Sequence, residues 1–281
     1  MKKRIGLITL AAAFIFILGA CGAKGTADKA DKADKVEKVK IGVVSESAIE
    51  IWKDVAKRLK DQNIDLEVVE FTDYNQPNIA LKNGDIDLNA FQHVAFLEDF
   101  NKNNDADLTP IGFTFVSPLG IYSEKIKDIK ELKDGDSIAI PNDVTNGGRA
   151  LLLLQALDLI KLDTKAASPT VNDITENTKN IQIKELDAAQ TARSLQDVAA
   201  AVVNTNYAVD AGFSPKKDAL YLDTDNISEV KDIYKNVIAA RKADKDNKVY
   251  KKVVAEYQTE ATKKLIDSTT NGTDIPIWDA K

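Results

Sequence analysis

Runs of apolar residues, separated by polar turns, divide the chain into short strands and helices. Residues 138–140 are continuously apolar and stop at Pro141, which predicts a buried strand. Residues 151–154 are all leucine and predict the body of an apolar helix. Small and polar residues, interrupted by Val144, fill the interval 142–148, and Arg149 follows them. We therefore predict a strand, a tight polar turn and a helix that carries Arg149 in its first turn.

The predicted turn has the properties of an anion-binding site, because its small residues would let the backbone approach a ligand. Free backbone N–H groups and the positive end of the helix dipole favour an anion at a helix start. An arginine there is unfavourable on dipole grounds, so its position calls for an explanation. Two interpretations fit the residues. Either Arg149 holds a ligand carboxylate through two parallel hydrogen bonds, or it pairs at the surface with Asp143 or another neighbour.

The remaining pattern predicts strands that alternate with helices on both sides of this stretch. Residues 39–44 and 66–71 predict two strands joined by a helix that ends near Asp61, an arrangement that favours parallel pairing. Residues 248–268 predict one long helix. Further strands are predicted at 86–91, 109–123, 181–186, 199–203, 219–222 and 238–241.

Two crossings of the chain predict a two-lobed α/β fold. The strand at 109–123 is interrupted by glycine and proline and leaves the first lobe, and the strand at 238–241 returns to it. We expect residues 39–122 plus 236–281 to form the first lobe and residues 123–235 to form the second. Each lobe is expected to be a mainly parallel sheet flanked by helices, with a ligand cleft between the lobes.

Three residues fall where predicted strands turn into helices, which is the edge of an open α/β sheet that binds ligands. They are Tyr74, Phe91 and His93, the only histidine of the chain. A single histidine is also compatible with a purely structural role. Its position beside aromatic residues favours a place in a pocket.

The N-terminus predicts export and lipidation. Three basic residues precede the apolar stretch 5–18, which is shorter than the roughly 20 residues of a membrane span, so residues 1–20 are predicted to be a signal peptide. The small residues directly before Cys21 resemble the lipobox of bacterial lipoproteins, in which the cysteine receives the lipid. The alternative is a cysteine left near an ordinary cleavage site. Residues 21–38, with their repeated Ala-Asp-Lys triplets, are expected to form a flexible charged tether.

Charge and composition exclude several classes of function. Removal of the signal peptide takes the formal net charge from −6 to −9, which argues against nucleic-acid binding and leaves the lipid as the only attachment to the membrane. Cys21 is the only cysteine, so no disulfide forms within one chain. The sequence lacks GxSxG, P-loop, CxxC and HExxH motifs. We expect no catalysis, no cofactor and no metal site.

Several long segments in the same order are similar to one family. The segments FTDYNQPNIALKNGDIDLNAFQH, GFTFVSPLGIYS, IPNDVTNGGRALLLLQALDLIKL and AAVVNTNYA, together with the lipobox, closely resemble the NlpA-type methionine-binding lipoproteins. The resemblance covers residue 40 to the C-terminus. It implies a periplasmic-binding-protein-like fold and the role of substrate-binding subunit in an ATP-binding-cassette (ABC) importer.

The resemblance also implies roles for individual residues. Arg149 corresponds to the arginine that holds the carboxylate of the amino acid, and Asn204 and Asn236 correspond to amides that orient its amino and carboxylate groups. Four further residues correspond to the wall around the thioether, and they are Tyr74, Phe91, His93 and Phe115. A flexible thioether is well matched by aromatic edges.

Two departures from the family pattern concern the ligand. Ser117 stands where an aromatic residue is common, and Val144 stands where proline is common. L-Methionine is the expected ligand, while another apolar amino acid, methionine sulfoxide or a methionine-containing dipeptide stays open. The expected partners are an ABC permease and its cytoplasmic ATPase, with the chain a monomer anchored by lipid at the extracytoplasmic face of the cell membrane. A surface adhesin or signalling lipoprotein is the alternative from another class.

Overall fold

The computed structural model describes residues 35–163, 168–223 and 232–279. The predicted signal peptide, the lipidation site Cys21 and nearly all of the tether lie outside these residues. The α-helices are α1 (Glu46–Leu59), α2 (Gln76–Asn83), α3 (Val94–Asn104), α4 (Val144–Ala156), α5 (Ala188–Thr191), α6 (Thr205–Asp210), α7 (Pro215–Asp218), α8 (Lys248–Tyr257) and α9 (Glu260–Thr269). None of the described helices is both long enough and apolar enough to span a bilayer.

The strands form two main sheets and one small antiparallel pair. They are β1 (Glu37–Val44), β2 (Ile64–Phe71), β3 (Leu88–His93), β4 (Leu108–Val116), β5 (Leu119–Tyr122), β6 (Ser137–Pro141), β7 (Lys161–Leu162), β8 (Ile174–Glu176), β9 (Gln182–Leu186), β10 (Ala200–Asn204), β11 (Tyr221–Leu222), β12 (Lys235–Arg241) and β13 (Ile275–Pro276). The first sheet has the order β13-β4-β12-β3-β1-β2, and the second has the order β11-β5-β10-β6-β9. Strands β7 and β8 pair separately. This is the predicted two-lobed α/β architecture, with one main sheet in each lobe.

Both main sheets are mixed, whereas the sequence predicted mainly parallel sheets. Strand β1 pairs in parallel with β2 and β3, and β6 pairs in parallel with β9 and β10. The other pairings are antiparallel. In the first sheet the cause is β12, which returns from the second sheet and enters between β3 and β4 in the opposite direction. The prediction that this strand finds its partner in the first lobe is confirmed.

The chain crosses between the sheets earlier than the sequence predicted. The expected single strand over 109–123 is two strands, because β4 ends before Ser117 and Pro118. Strand β5 then pairs with β10 and β11 in the second sheet, although the predicted boundary after Tyr122 placed it in the first lobe. Proline lacks the N–H that would continue the ladder of β4, so the strand stops there.

The predicted long helix over 248–268 is two helices. Helix α8 ends at Tyr257, and α9 begins at Glu260. Thr259 separates them because its backbone is extended and its side chain accepts a hydrogen bond from the N–H of Thr262. This is the geometry of an N-cap, which starts a new helix rather than continuing the old one.

The helices bury apolar faces on the sheets. In α1, Ser45 caps the first turn, and the buried residues include Trp52 and Leu59. The ring of Trp52 stacks on Tyr257 with centroids 4.6 Å apart, which ties α1 to α8 beneath the first sheet. Helix α4 packs its leucines, including the fully buried Leu154, into the core of the second sheet. Large apolar side chains fill both cores, so the residues between the sheets have fixed positions.

Helix α4 begins earlier than predicted. Asp143 is its N-cap and accepts from the N–H of Asn146, so Arg149 lies in the second turn of the helix and not in the first. The two glycines before Arg149 allow close packing. A Cβ at Gly147 would lie 2.7 Å from the carbonyl oxygen of Pro141, and one at Gly148 would lie 3.1 Å from that of Pro169. The glycines therefore serve the contact of α4 with neighbouring backbone, and not the approach of backbone to a ligand.

Candidate ligand-binding site

A cavity of about 870 Å³, its opening to solvent included, lies between the two sheets. The first sheet contributes residues from β1, β3, β4 and β12, and the second sheet contributes residues from β10 and from α4. All seven residues predicted to bind the ligand line this cavity, and they are Tyr74, Phe91, His93, Phe115, Arg149, Asn204 and Asn236. The structure thus brings the predicted set to one place.

One side of the cavity is an aromatic wall, which we define as Tyr74, Phe91, His93 and Phe96. The ring of Phe91 lies 5.8 Å from those of Tyr74 and Phe96, in tilted and edge-to-face arrangements. His93 meets Phe96 edge to face at 6.3 Å. Phe115 reaches the same cavity from β4. Such a surface offers ring edges and faces to an apolar, polarisable group.

His93 is a neutral, oriented member of this wall. It is the N-cap of α3, and its Nδ1 accepts from the N–H of Phe96 at 3.1 Å, so the ring proton lies on Nε2. Burial, and next the charge of Arg149, lower the pKa of His93 from 6.5 to about 3. Its Nε2 lies 3.4 Å from Oδ1 of Asn146. The histidine therefore joins the aromatic wall to the opposite side of the cavity.

The opposite side is a polar wall, which we define as Asn146, Arg149, Asn204 and Asn206. The amide of Asn146 donates to both carboxylate oxygens of Asp143, at 3.1 and 3.0 Å. Its Oδ1 accepts from Nδ2 of Asn204 at 3.0 Å. The Oδ1 of Asn204 is buried and has no hydrogen-bond partner within the described part of the chain. An unpaired buried acceptor in a cavity wall is available to a ligand donor.

Asn206 presents the opposite polarity. Its Oδ1 accepts from the phenol of Tyr74, and its Nδ2 is buried without a hydrogen-bond partner among residues 35–163, 168–223 and 232–279. Burial raises the pKa of Tyr74 well above its usual value, so the phenol keeps the proton that it donates. Asn204 and Asn206 flank the first residue of α6, and they offer the cavity one acceptor and one donor.

Arg149 is buried in an ion pair that the sequence did not predict. Its Nε donates to Oδ2 of Asp223 at 2.5 Å, and its Nη2 donates to Oδ1 at 3.0 Å. The Nη2 also donates to the carbonyl of Ser117 at 3.0 Å, and the ring of Tyr234 lies 4.6 Å from the guanidinium carbon. The fork of two parallel bonds is directed at Asp223. In the described residues Nη1 has no hydrogen-bond partner, and it is the nitrogen left for a ligand.

A buried carboxyl group completes the cavity near Arg149. Asp274 lines the cavity and accepts from Oγ of Ser117 at 2.5 Å. Burial raises the pKa of Asp274 from 3.8 to about 7, and the bond from Ser117 opposes this rise. Ser117, one of the two departures from the family pattern, thus lines the cavity together with a buried carboxyl group. Val144, the other departure, is exposed at the start of α4 and does not line the cavity.

Several residues of the site were not predicted from the sequence. Asn206 and Phe96 lie within or beside the segments that carried the family resemblance, so their neighbours gave a signal. Asp223 and Asp274 are far from their partners in sequence, and no local pattern marked them. In the residues that the structure describes, no group of His, Cys, Asp or Glu side chains is arranged to hold a metal ion.

Comparison with known proteins identifies the family of this chain. The sequence model of the NlpA lipoprotein family matches residues 39–278. The D-methionine-binding lipoprotein MetQ of Escherichia coli K12 is 42% identical over 244 residues, covering 85% of this chain and 88% of the relative.

Two solved structures are similar over nearly the whole described part of the chain. A nutrient binding protein from Burkholderia cenocepacia bound to methionine has a TM-score of 0.81 and 42% identity, covering 85% of this chain and 99% of that chain. The substrate binding protein of a methionine transporter from Streptococcus pneumoniae has a TM-score of 0.80 and 42% identity, covering 86% and 96%. With a family match across residues 39–278 and relatives of this identity and coverage, the chain belongs to the NlpA lipoprotein family.

Proposed function

We propose that this chain is the extracytoplasmic substrate-binding lipoprotein of an ABC amino-acid importer and that it binds L-methionine between its two sheets. The observation that carries the proposal is that one cavity is lined by the aromatic wall, by the buried Arg149 and by two amides of opposite polarity. Its relatives in Escherichia coli, Burkholderia cenocepacia and Streptococcus pneumoniae support the proposal, because the name of each refers to methionine.

The two walls match the two ends of a methionine zwitterion. The thioether would pack against the rings of Tyr74, Phe91 and Phe96, since sulfur makes favourable contacts with ring edges. The carboxylate would take the Nη1 of Arg149 and the Nδ2 of Asn206. The ammonium group would donate to Oδ1 of Asn204. The Oδ1 of Asn204 and the Nδ2 of Asn206 are buried, and a ligand would supply the hydrogen bonds that the described residues leave unmade there.

Asn236 completes the proposed site from the first sheet. It lies on β12 opposite His93 in the antiparallel pairing and lines the cavity. Its amide would orient the amino and carboxylate groups of the ligand from the side opposite Asn204. A ligand held by residues of both sheets would favour a closed arrangement of the two lobes, as in other hinged binding proteins.

Capture and release, without chemistry on the ligand, is the proposed activity. The chain would be lipidated at Cys21 and held at the extracytoplasmic face of the membrane by that lipid. A permease would receive the ligand, and ATP would be hydrolysed by a cytoplasmic partner. We propose that the chain acts as a monomer. Cys21→Ser should move the protein from the membrane fraction to the soluble fraction, and continued membrane association would contradict the anchor.

Calorimetric titration tests the ligand. The full-length protein is unfolded and refolded to remove any bound ligand, then titrated with L-methionine, D-methionine, methionine sulfoxide, leucine and glycyl-methionine. We expect L-methionine to bind most tightly. D-Methionine belongs in the series because the name of the Escherichia coli relative specifies that enantiomer. Tight binding of another member with no binding of L-methionine would overturn the ligand while leaving the binding role intact.

A further inference from the structure

We propose that Asp143 and Asn146 are positioning residues that hold the Asn204 amide with its oxygen toward the ligand. This orientation makes one position of the cavity accept an ammonium group and disfavour a carboxylate. The inference rests on the proposed function, because it assigns a direction to the bound amino acid. It follows from a chain of hydrogen bonds in which each step fixes the orientation of the next side chain.

The chain starts at Asp143, which can only accept. Its carboxylate receives the Nδ2 of Asn146 at 3.1 and 3.0 Å, the backbone N–H of Asn146 at 2.9 Å and the hydroxyl of Thr145 at 2.9 Å. Burial raises the pKa of Asp143, and these hydrogen bonds oppose the rise. Because a carboxylate offers no proton, Asn146 presents its nitrogen to Asp143 and its oxygen to the other side.

The second step is at the oxygen of Asn146. It faces the Nδ2 of Asn204 at 3.0 Å and the Nε2 of His93 at 3.4 Å. The Nε2 of His93 carries the ring proton, because Nδ1 accepts from the N–H of Phe96. Two donors from two different elements therefore meet one acceptor. A reversed Asn146 would place its amide nitrogen against both of them.

The third step orients Asn204. Its nitrogen is held by Asn146, so its oxygen points away from Asn146 and is buried without a partner in the described residues. A reversed Asn204 would set two oxygens against each other. A ligand ammonium group at this position would satisfy the buried oxygen, whereas a ligand carboxylate would meet a second negative centre.

Asn206 is oriented oppositely to Asn204, so the two amides together distinguish the ammonium end of the ligand from the carboxylate end. The phenol of Tyr74 donates to its oxygen, so its nitrogen is the unpaired buried atom. Two amides separated by one residue thus show opposite polarity to one cavity. Asn206 is held by the neutral hydroxyl of Tyr74, whereas Asn204 is oriented, through Asn146, by the charged carboxylate of Asp143. We infer that the ammonium end is the more strictly specified of the two.

The test compares the single substitution Asp143→Asn with a double substitution, the exchanged pair, in which the residues at positions 143 and 146 trade places. Asp143→Asn keeps the N-cap of α4, because asparagine also caps helices well, but it removes the group that can only accept. Asp143→Asn with Asn146→Asp moves the carboxylate to position 146, where it can still accept from Asn204 and His93 while the amide at 143 donates to it. Val144→Ala, in the same turn and exposed to solvent, is the matched control.

Binding is measured by calorimetry with methionine and with 4-(methylthio)butanoate, which lacks only the amino group. In Asp143→Asn we expect the ratio of the affinity for methionine to that for the analogue to fall at least tenfold. The exchanged pair should recover most of the ratio, and Val144→Ala should leave it unchanged. An equal loss for both ligands, or no recovery in the exchanged pair, would overturn the positioning role.

A measurement without ligand separates this inference from the proposed function. Hydrogen exchange of the Asn204 side-chain amide, assigned by its absence in Asn204→Ala, is followed by NMR in the ligand-free protein. The amide protons should exchange slowly in the unsubstituted protein, faster in Asp143→Asn, and slowly again in the exchanged pair. Protection that is the same in all variants overturns the inference. Protection that follows this order, in a protein that binds no methionine, supports the positioning role and rejects the proposed ligand.

Discussion

The two walls of the cavity differ in how they are assembled. The aromatic wall comes from residues 74–96, and its rings meet at centroid distances of 5.8–6.3 Å in tilted and edge-to-face arrangements. The polar wall comes from two distant segments, 146–149 and 204–206, and it depends on carboxylates at Asp143 and Asp223 that lie behind it. Ring contacts tolerate replacement by another apolar group. In a hydrogen-bonded wall, reversal of one side chain breaks the hydrogen bonds of its neighbours.

This difference assigns separate tasks to the walls. Apolar packing supplies affinity roughly in proportion to the area that it covers and distinguishes weakly between side chains of similar size. Buried polar groups that are left unpaired reject a wrong ligand strongly. We therefore expect the polar wall to decide that the ligand is an amino acid and the aromatic wall to decide which amino acid it is.

The largest loss of methionine affinity is expected when Arg149 is replaced. Arg149→Ala should weaken methionine binding by on the order of 2–5 kcal/mol, since it removes the cation of the polar wall and the ion-pair partner of the partly buried Asp223. Arg149→Lys is the matched control. It keeps the charge but lacks the planar fork that engages Asp223, so it should recover only part of the affinity. Titration calorimetry measures both variants, and an Arg149→Ala protein with unchanged affinity would remove Arg149 from the site.

Two titrating groups that line the cavity should respond to pH in opposite senses. Asp274, which accepts from Ser117, has its pKa raised to about 7, so the native state keeps a proton that the unfolded chain releases near pH 4. Its contribution to stability therefore falls as pH rises from about 4 to about 7. His93 on the aromatic wall has its pKa lowered to about 3, so the unfolded chain binds the proton first. Its contribution rises with pH up to about 6.5. The two terms oppose each other between about pH 4 and 6.5.

The substitution Asp274→Asn removes the contribution of Asp274 to the pH dependence of stability and leaves that of His93. Relative to the unsubstituted protein, the variant should gain roughly 1.4 kcal/mol of unfolding free energy per pH unit across about pH 4 to 7, as one titrating group allows. Urea unfolding at half-unit pH steps measures this difference. The other titrating groups are common to both proteins and cancel. Parallel pH profiles for the two proteins would show that Asp274 titrates normally.

The same contrast explains what could be predicted from the sequence. Apolar periodicity is local, so most strands and helices followed from it, including the strand that carries Phe91, although that strand ends at His93 and not at Phe91 as predicted. Together with the family resemblance it placed all seven expected residues on one cavity. The roles of these residues in binding stay predictions.

Features that depend on contacts distant in sequence were missed. The pairing of Arg149 with Asp223 joins residues 74 positions apart, and that of Ser117 with Asp274 joins residues 157 apart. The orientation of Asn204 is set through two further side chains. The mixed sheets follow from β12 returning between β3 and β4, which no local pattern shows. A sequence pattern identifies which groups are present more readily than it identifies their partners.

A smaller effect is expected on the aromatic wall. Phe91→Leu keeps an apolar side chain but loses ring edges beside Tyr74 and Phe96, so methionine affinity should fall by about 1 kcal/mol. The affinity for the ligand leucine, which has no sulfur, should fall by less. Phe113→Leu, an exposed phenylalanine outside the cavity, is the control. Calorimetry with both amino acids gives the selectivity, and an equal loss for the two ligands would show that the ring supplies area and not a contact with sulfur.

The smallest effect is expected for Val144→Pro, a substitution that tests whether the polar wall depends on the rigidity of the turn before α4. Val144 is the first residue of the helix, where proline is well tolerated, and Asp143 before it has φ −74° and ψ 145°, which suits a residue preceding proline. Val144→Pro should therefore raise the unfolding free energy by about 0.5 kcal/mol through the unfolded chain. Methionine affinity should not change, because the hydrogen bonds of Asp143 to Asn146 already hold the start of the helix. Urea unfolding and calorimetry measure the two quantities. A gain in affinity would mean that the turn, and not the hydrogen-bond chain, limits the presentation of Arg149 and Asn146 to the ligand.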